Sequence, residues 1–175
     1  MWIFIVGDAL IFAGFLASYG FVRIASPTWP NRAEMFHLPM LAGMTFILLS
    51  SGATMATAVE AARRSDWKKV VQLLLLTVLG GAIFLGCQAY EWSQLIHEGL
   101  RTNANPWGVP LFGSCFFLIT GFHGFHVFTG LLILVITAIR SAKGKSKAGG
   151  VEMAGLYWAF VDLVWVFVFP LFYLI

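Results

Sequence analysis

The sequence predicts an all-α integral membrane bundle of five transmembrane helices, with the N-terminus cytoplasmic and the C-terminus external. Three observations carry that prediction. Hydrophobic residues make up 59% of the 175 and charged residues 11%, whereas a soluble domain has about a quarter of its residues charged. Apolar runs of the length that crosses a bilayer, about 20 residues, recur between short polar breaks. Basic residues gather in alternate breaks, which is a signature of membrane topology. They form no stripe that would suit nucleic acid. The length suits a single transmembrane domain over 1–175.

The spans are placed at about 2–24, 38–62, 69–97, 110–140 and 153–175. The chain enters the first almost directly, at Met1-Trp2-Ile3-Phe4, without the basic segment of a cleavable signal. SPTWPNRAEMFH (26–37) ends it, because its prolines cannot continue a helix. RRSDWKK (63–69) separates the second span from the third. HEGLRTNANPWG (97–108), with Pro106 and Gly108, separates the third from the fourth. RSAKGKSKAGG (140–150) reads as a flexible basic loop before the fifth.

Eight of the 11 Lys and Arg residues lie in two of these breaks: Arg63, Arg64, Lys68, Lys69, Arg140, Lys143, Lys145 and Lys147. The other side has Arg23, Arg32 and Arg101. The positive-inside rule then places the eight in the cytoplasm. Trp29, Trp67, Trp92 and Trp107 fall near span ends, where an amphipathic ring favours the interface. Small residues recur within the spans: Ser50, Thr54 and Ala58; Gly80, Gly81 and Gly86; Gly121, Gly124 and Gly130. They let helices approach closely where lipid offers no hydrophobic drive. A packed bundle is expected.

Ionisable groups at membrane depth need a partner or a task. His123 and His126, in GFHGFHVFTG, share a helix face. At about 1.5 Å of rise per residue, Asp8 lies about 9 Å and Asp162 about 12 Å from the cytoplasmic side. His126 lies about 8 Å and His123 about 12 Å from the same side. The matching depths suggest Asp8–His126 and His123–Asp162 pairs, with the reverse pairing also compatible. Glu60 and Glu152 fall at the cytoplasmic boundary, and Glu91 near the external end of span three.

Several readings of the histidines stand side by side: a buried polar cluster of Asp8, His123, His126 and Asp162, a proton-handling group, or a metal or haem site. Haem ligands usually face one another at one depth, and His37 and His97 cannot reach that depth. A lone HxxH lacks the further ligands of zinc. Cys87 and Cys115 form no CxxC pair and read as buried apolar residues, with a disulfide between them possible in depth. No nucleophile–base pair or phosphate loop is present. No catalytic residue, cofactor or metal is therefore expected in this chain.

The run GSCFFLITGFHGFHVFTG (113–130) resembles the signature helix of subunit III of the haem-copper terminal oxidases, and YWAFVDLVWVFVFPLFYL (157–174) resembles that family's last helix. WPNRAEMFHLPMLAGMTFILLSSGATMATAVEAARRSDWKK (29–69) and GCQAYEWSQLI (86–96) are similar to the segments between. The resemblance covers nearly the whole chain, in order. It implies an accessory subunit of a proton-pumping respiratory oxidase of aerobic electron transport in a bacterial inner membrane. Haem and copper are then held by partners, the catalytic subunit I and subunit II, with small subunits as further expected neighbours. Such a subunit packs near the proton-uptake entrance, sustains proton uptake, holds phospholipid and protects against turnover inactivation.

The resemblance also assigns positions. Asp8 matches the family's buried carboxylate, His123 and His126 its two histidines, Asp162 its aspartate, and Glu91 the glutamate of Q-x-x-E-Y/W. Two departures stand out. Many members have seven spans, so the lipid-filled cleft formed by the first two would need another source. Ala159 stands where histidine commonly follows Tyr-Trp. Subunit III of a quinol oxidase and a nitric oxide reductase-associated relative remain alternatives within the family. A small proton or ion transporter, using the four buried groups as a relay, is the alternative outside it.

Overall fold

The computed structural model describes residues 1–27, 29, 35–106 and 108–174. Arg32 and Trp107 lie outside the described residues. Five helices account for the spans: α1 (Trp2–Ala25), α2 (Leu38–Arg63), α3 (Trp67–His97), α4 (Pro110–Ala142) and α5 (Ala148–Phe169). All five are long and apolar enough to cross a membrane. A π-helical turn, Pro170–Leu174, extends α5. Proline lacks the N–H for the next helical bond and its ring crowds the carbonyl four residues back. The wider turn is one way to absorb both.

The ends have local causes. A tight turn joins α2 to α3, with Ser65 in the left-handed region at φ 60°. Asp66 then caps α3 by accepting from the Lys69 backbone N–H at 3.2 Å. Prolines stand in the first turns of α2 and α4, where a missing N–H costs nothing. The fifth helix begins at Ala148, about five residues before the expected start. The basic loop shrinks accordingly to 143–147.

The helices α2, α3, α4 and α5 form a ring, each packed on the next, with α5 closing against α2. The first helix lies outside the ring, in the groove between α4 and α5. It buries Asp8, Phe12 and Tyr19 along one stripe.

Two tryptophans of α5 organise the ring's interior. The Trp158 indole N–H donates to Ser51 Oγ of α2 at 3.1 Å. A Cβ added at Gly81 of α3 would meet its ring at 2.5 Å, and one at Gly130 of α4 at 3.0 Å. Trp158 thus fills a space that two glycines leave open. Two turns on, Trp165 donates to Thr45 Oγ1 of α2 at 2.9 Å. It also packs edge-on to Phe84 of α3 at 4.8 Å and against His123 of α4 at 5.0 Å. Each indole touches all three other helices of the ring. Thr54 and Thr77 add a hydroxyl pair at 2.8 Å between α2 and α3.

The expected small-residue packing holds at Gly80, Gly81 and Gly130, but not at Gly86, which has nothing near it. Cys87 and Cys115 are free thiols. They are half-buried, and the disulfide that their depths allowed is not formed.

Candidate functional site

Asp8 and His126 meet where α1 crosses α4. His126 Nε2 lies 3.0 Å from Asp8 Oδ2. Its Nδ1 lies 2.8 Å from the Phe122 carbonyl of its own helix. A carbonyl can only accept, so Nδ1 carries a hydrogen and donates to it. One proton therefore remains to be placed between Nε2 and Oδ2. Either Asp8 is a carboxylate facing an imidazolium, or a protonated Asp8 donates to a neutral ring. The pair is neutral overall in both states. That suits a membrane interior, where a lone charge costs several kcal/mol.

The pair is enclosed. Asp8 is 9% and His126 5% exposed. Phe12, Phe122 and Phe125 surround the imidazole at 5.5, 4.6 and 5.9 Å. Tyr157 of α5 donates to the His126 carbonyl at 3.3 Å and contacts Thr129 Oγ1 at 2.7 Å. Three helices hold this histidine.

His123 is fully buried and donates from Nε2 to the Val161 carbonyl of α5 at 3.2 Å. Nδ1 has no partner among the described residues. The ring sits between Phe84 and Trp165. The expected His123–Asp162 pair does not form. Consecutive helical residues point about 100° apart, so the turn that offers the Val161 carbonyl to α4 aims Asp162 at α2. There its Oδ2 lies over Gly52, so closely that a Cβ would collide with it. Its Oδ1 is buried without a partner among the described residues. The four predicted residues are all buried, yet they divide into an Asp8–His126 pair, a backbone-bonded His123 and an Asp162 facing α2.

Glu60 and Glu152 are boundary residues in ion pairs, with Arg64 at 2.9 Å and Arg63 at 2.7 Å. Glu91, towards the other end of α3, accepts from Tyr173 OH at 3.0 Å. Among the described residues no group of three or more His, Cys, Asp or Glu side chains could hold a metal ion.

Comparison with known proteins places this architecture. The family model for cytochrome c oxidase subunit III matches residues 1–175. The chain belongs to that family.

Similar relatives include the cytochrome c oxidase subunit 3 of Bacillus sp. (strain PS3), 35% identical over 99% of this chain and 83% of that one. The same-named protein of Thermostichus vulcanus is 34% identical over 99% and 84%. That of Corynebacterium diphtheriae is 36% identical over 99% and 85%. Within this subunit III fold, sequence reasoning missed Trp158, Trp165, Tyr157 and Tyr173. A signal existed: Trp158 and Trp165 are seven residues apart, two turns on one face. Ala159, where the resemblance expects a histidine, lies exposed on a groove of α2 and α5 beside Gly52, Ala56 and Gly155.

Proposed function

We propose that this chain is a non-catalytic accessory subunit of a haem-copper respiratory oxidase of the cytochrome c-oxidising kind. It docks in a bacterial inner membrane beside the subunits that hold haem and copper. The whole-chain match to the subunit III family is the observation that carries this reading. The names of the relatives favour cytochrome c over quinol as electron donor. The basic residues at the 64–66 and 143–147 turns favour a cytoplasmic position for that end, and so for the N-terminus.

In this reading the chain's own contribution is mechanical and protonic. The ring of helices presents a rigid wall to the catalytic subunit. The Asp8–His126 pair holds one proton that can shift between two neutral forms, in the half nearer the basic loops. Such a pair can pass its proton to a neighbour's uptake path and take another in its place. The apolar groove between α1 and α5, lined by Ala9, Phe12, Ala13 and Leu163 and about 340 Å³ in volume, suits a phospholipid acyl chain.

The test compares the oxidase purified with and without this chain. Equal initial rates, with faster decay of turnover at raised pH when the chain is absent, are the expected result. Identical sustained turnover in the two preparations would contradict the supporting role.

A further inference from the structure

A third buried carboxylate, after Asp8 and Asp162, lies at the end of the bundle away from the basic loops. Glu91 is 8% exposed and uses Oε2 to accept from Tyr173. Its Oε1 has no hydrogen-bond partner among the described residues. Gln88, three residues earlier and so on the same face, is 5% exposed with both amide atoms unpartnered. Buried polar atoms are nearly always bonded to protein or to ordered water. Three orphan atoms on one helix face therefore call for a partner beyond the described residues.

A small cavity joins Glu91 to the exposed residues His37, Gln94 and Glu98 where α3 ends. Met35, Phe36 and Leu41 form its apolar wall, and His37, Tyr90 and Glu98 are its other ionisable lining groups. It offers about 20 Å³ to the centre of a water molecule. One water needs roughly 10–15 Å³ on that measure, together with polar partners. The space suits one water and is too small for an organic ligand.

We infer that this cavity is a hydration site, in which an ordered water donates to Glu91 Oε1 and links the Glu91–Tyr173 pair to the aqueous phase. Glu91 is then a proton-exchanging group. When Glu91 is a carboxylate the water donates to Oε1; when Oε1 is protonated it donates to the water instead. A proton thus crosses this bond as one carboxyl O–H breaks and one water O–H forms, and the water hands a proton on to the aqueous phase. The site is distinct from the Asp8–His126 pair and does not rest on the oxidase reading.

X-ray radiolytic footprinting of the intact complex tests it, because radicals born on a bound water oxidise the side chains around it. A scavenger suppresses radicals from bulk solvent. Met35 lines the cavity and is 5% exposed; Met44, 1% exposed and outside the lining, is the control. Met35 should oxidise several-fold faster than Met44. Glu91→Leu should bring Met35 down to the Met44 rate, and Glu91→Gln, which keeps an acceptor oxygen, should not. Equal rates in the unmutated protein, or a Met35 rate indifferent to Glu91→Leu, would overturn the inference. If Glu91→Leu fails to assemble, the comparison in the unmutated complex decides alone.

Discussion

His126 uses one nitrogen on its own helix and the other on Asp8, so Asp8 can be tested in two separable ways. Asp8→Ala strands Nε2 in a buried site and should cost about 1–3 kcal/mol. Thermal unfolding of the detergent-solubilised protein measures it. Asp8→Asn keeps a hydrogen bond, since the amide donates to a neutral ring, but cannot carry the shared proton. A purely structural pair predicts unmutated behaviour for Asp8→Asn. A proton-relaying pair predicts normal stability and initial rate, with sustained turnover lost at raised pH. Helical rise made the matching depth of Asp8 and His126 legible in the sequence, with their contact one of two pairings left open. That His123 and Asp162 do not meet was not legible, because depth says nothing about direction around the axis. Val161 and Asp162 differ by 1.5 Å in height and about 100° in aim.

Among the elements, α5 carries the bundle's organisation. Trp158 fills the space left by Gly81 and Gly130, and Trp165 spans Thr45, Phe84 and His123. Gly81→Ala should destabilise the protein by about 1–3 kcal/mol, the usual cost of overpacking, because its Cβ would press on the indole. Gly86→Ala, with nothing within 4 Å, should be neutral or stabilise by up to about 1 kcal/mol. Paired thermal melts of the two variants check this, and equal effects would contradict the packing account. Helix existence was legible throughout, from the length of the apolar runs. The start of α5 was misread because Gly149 and Gly150 resemble a loop. In a first turn, however, the backbone N–H groups lack helical partners anyway. The central tryptophans escaped notice because an indole at a span's interior and one at an interface look alike in composition.

At the scale of the molecule, a four-helix ring with α1 laid against it leaves broad apolar faces uncovered. Ile3, Phe21, Ile24, Phe46 and Phe125 are each more than half exposed. Lipid and neighbouring subunits are the surroundings such faces fit. The number of spans followed from hydropathy, but the ring order did not. Order is set by side-chain complementarity, such as an indole meeting two glycines, which no periodicity records. The most direct test of the account is to tag this chain, solubilise the membranes in mild detergent and identify what elutes with it. The account predicts a haem-copper catalytic subunit in equal amount, with the metals bound by that partner. Elution as a free protein, or iron or copper bound to this chain itself, would contradict it.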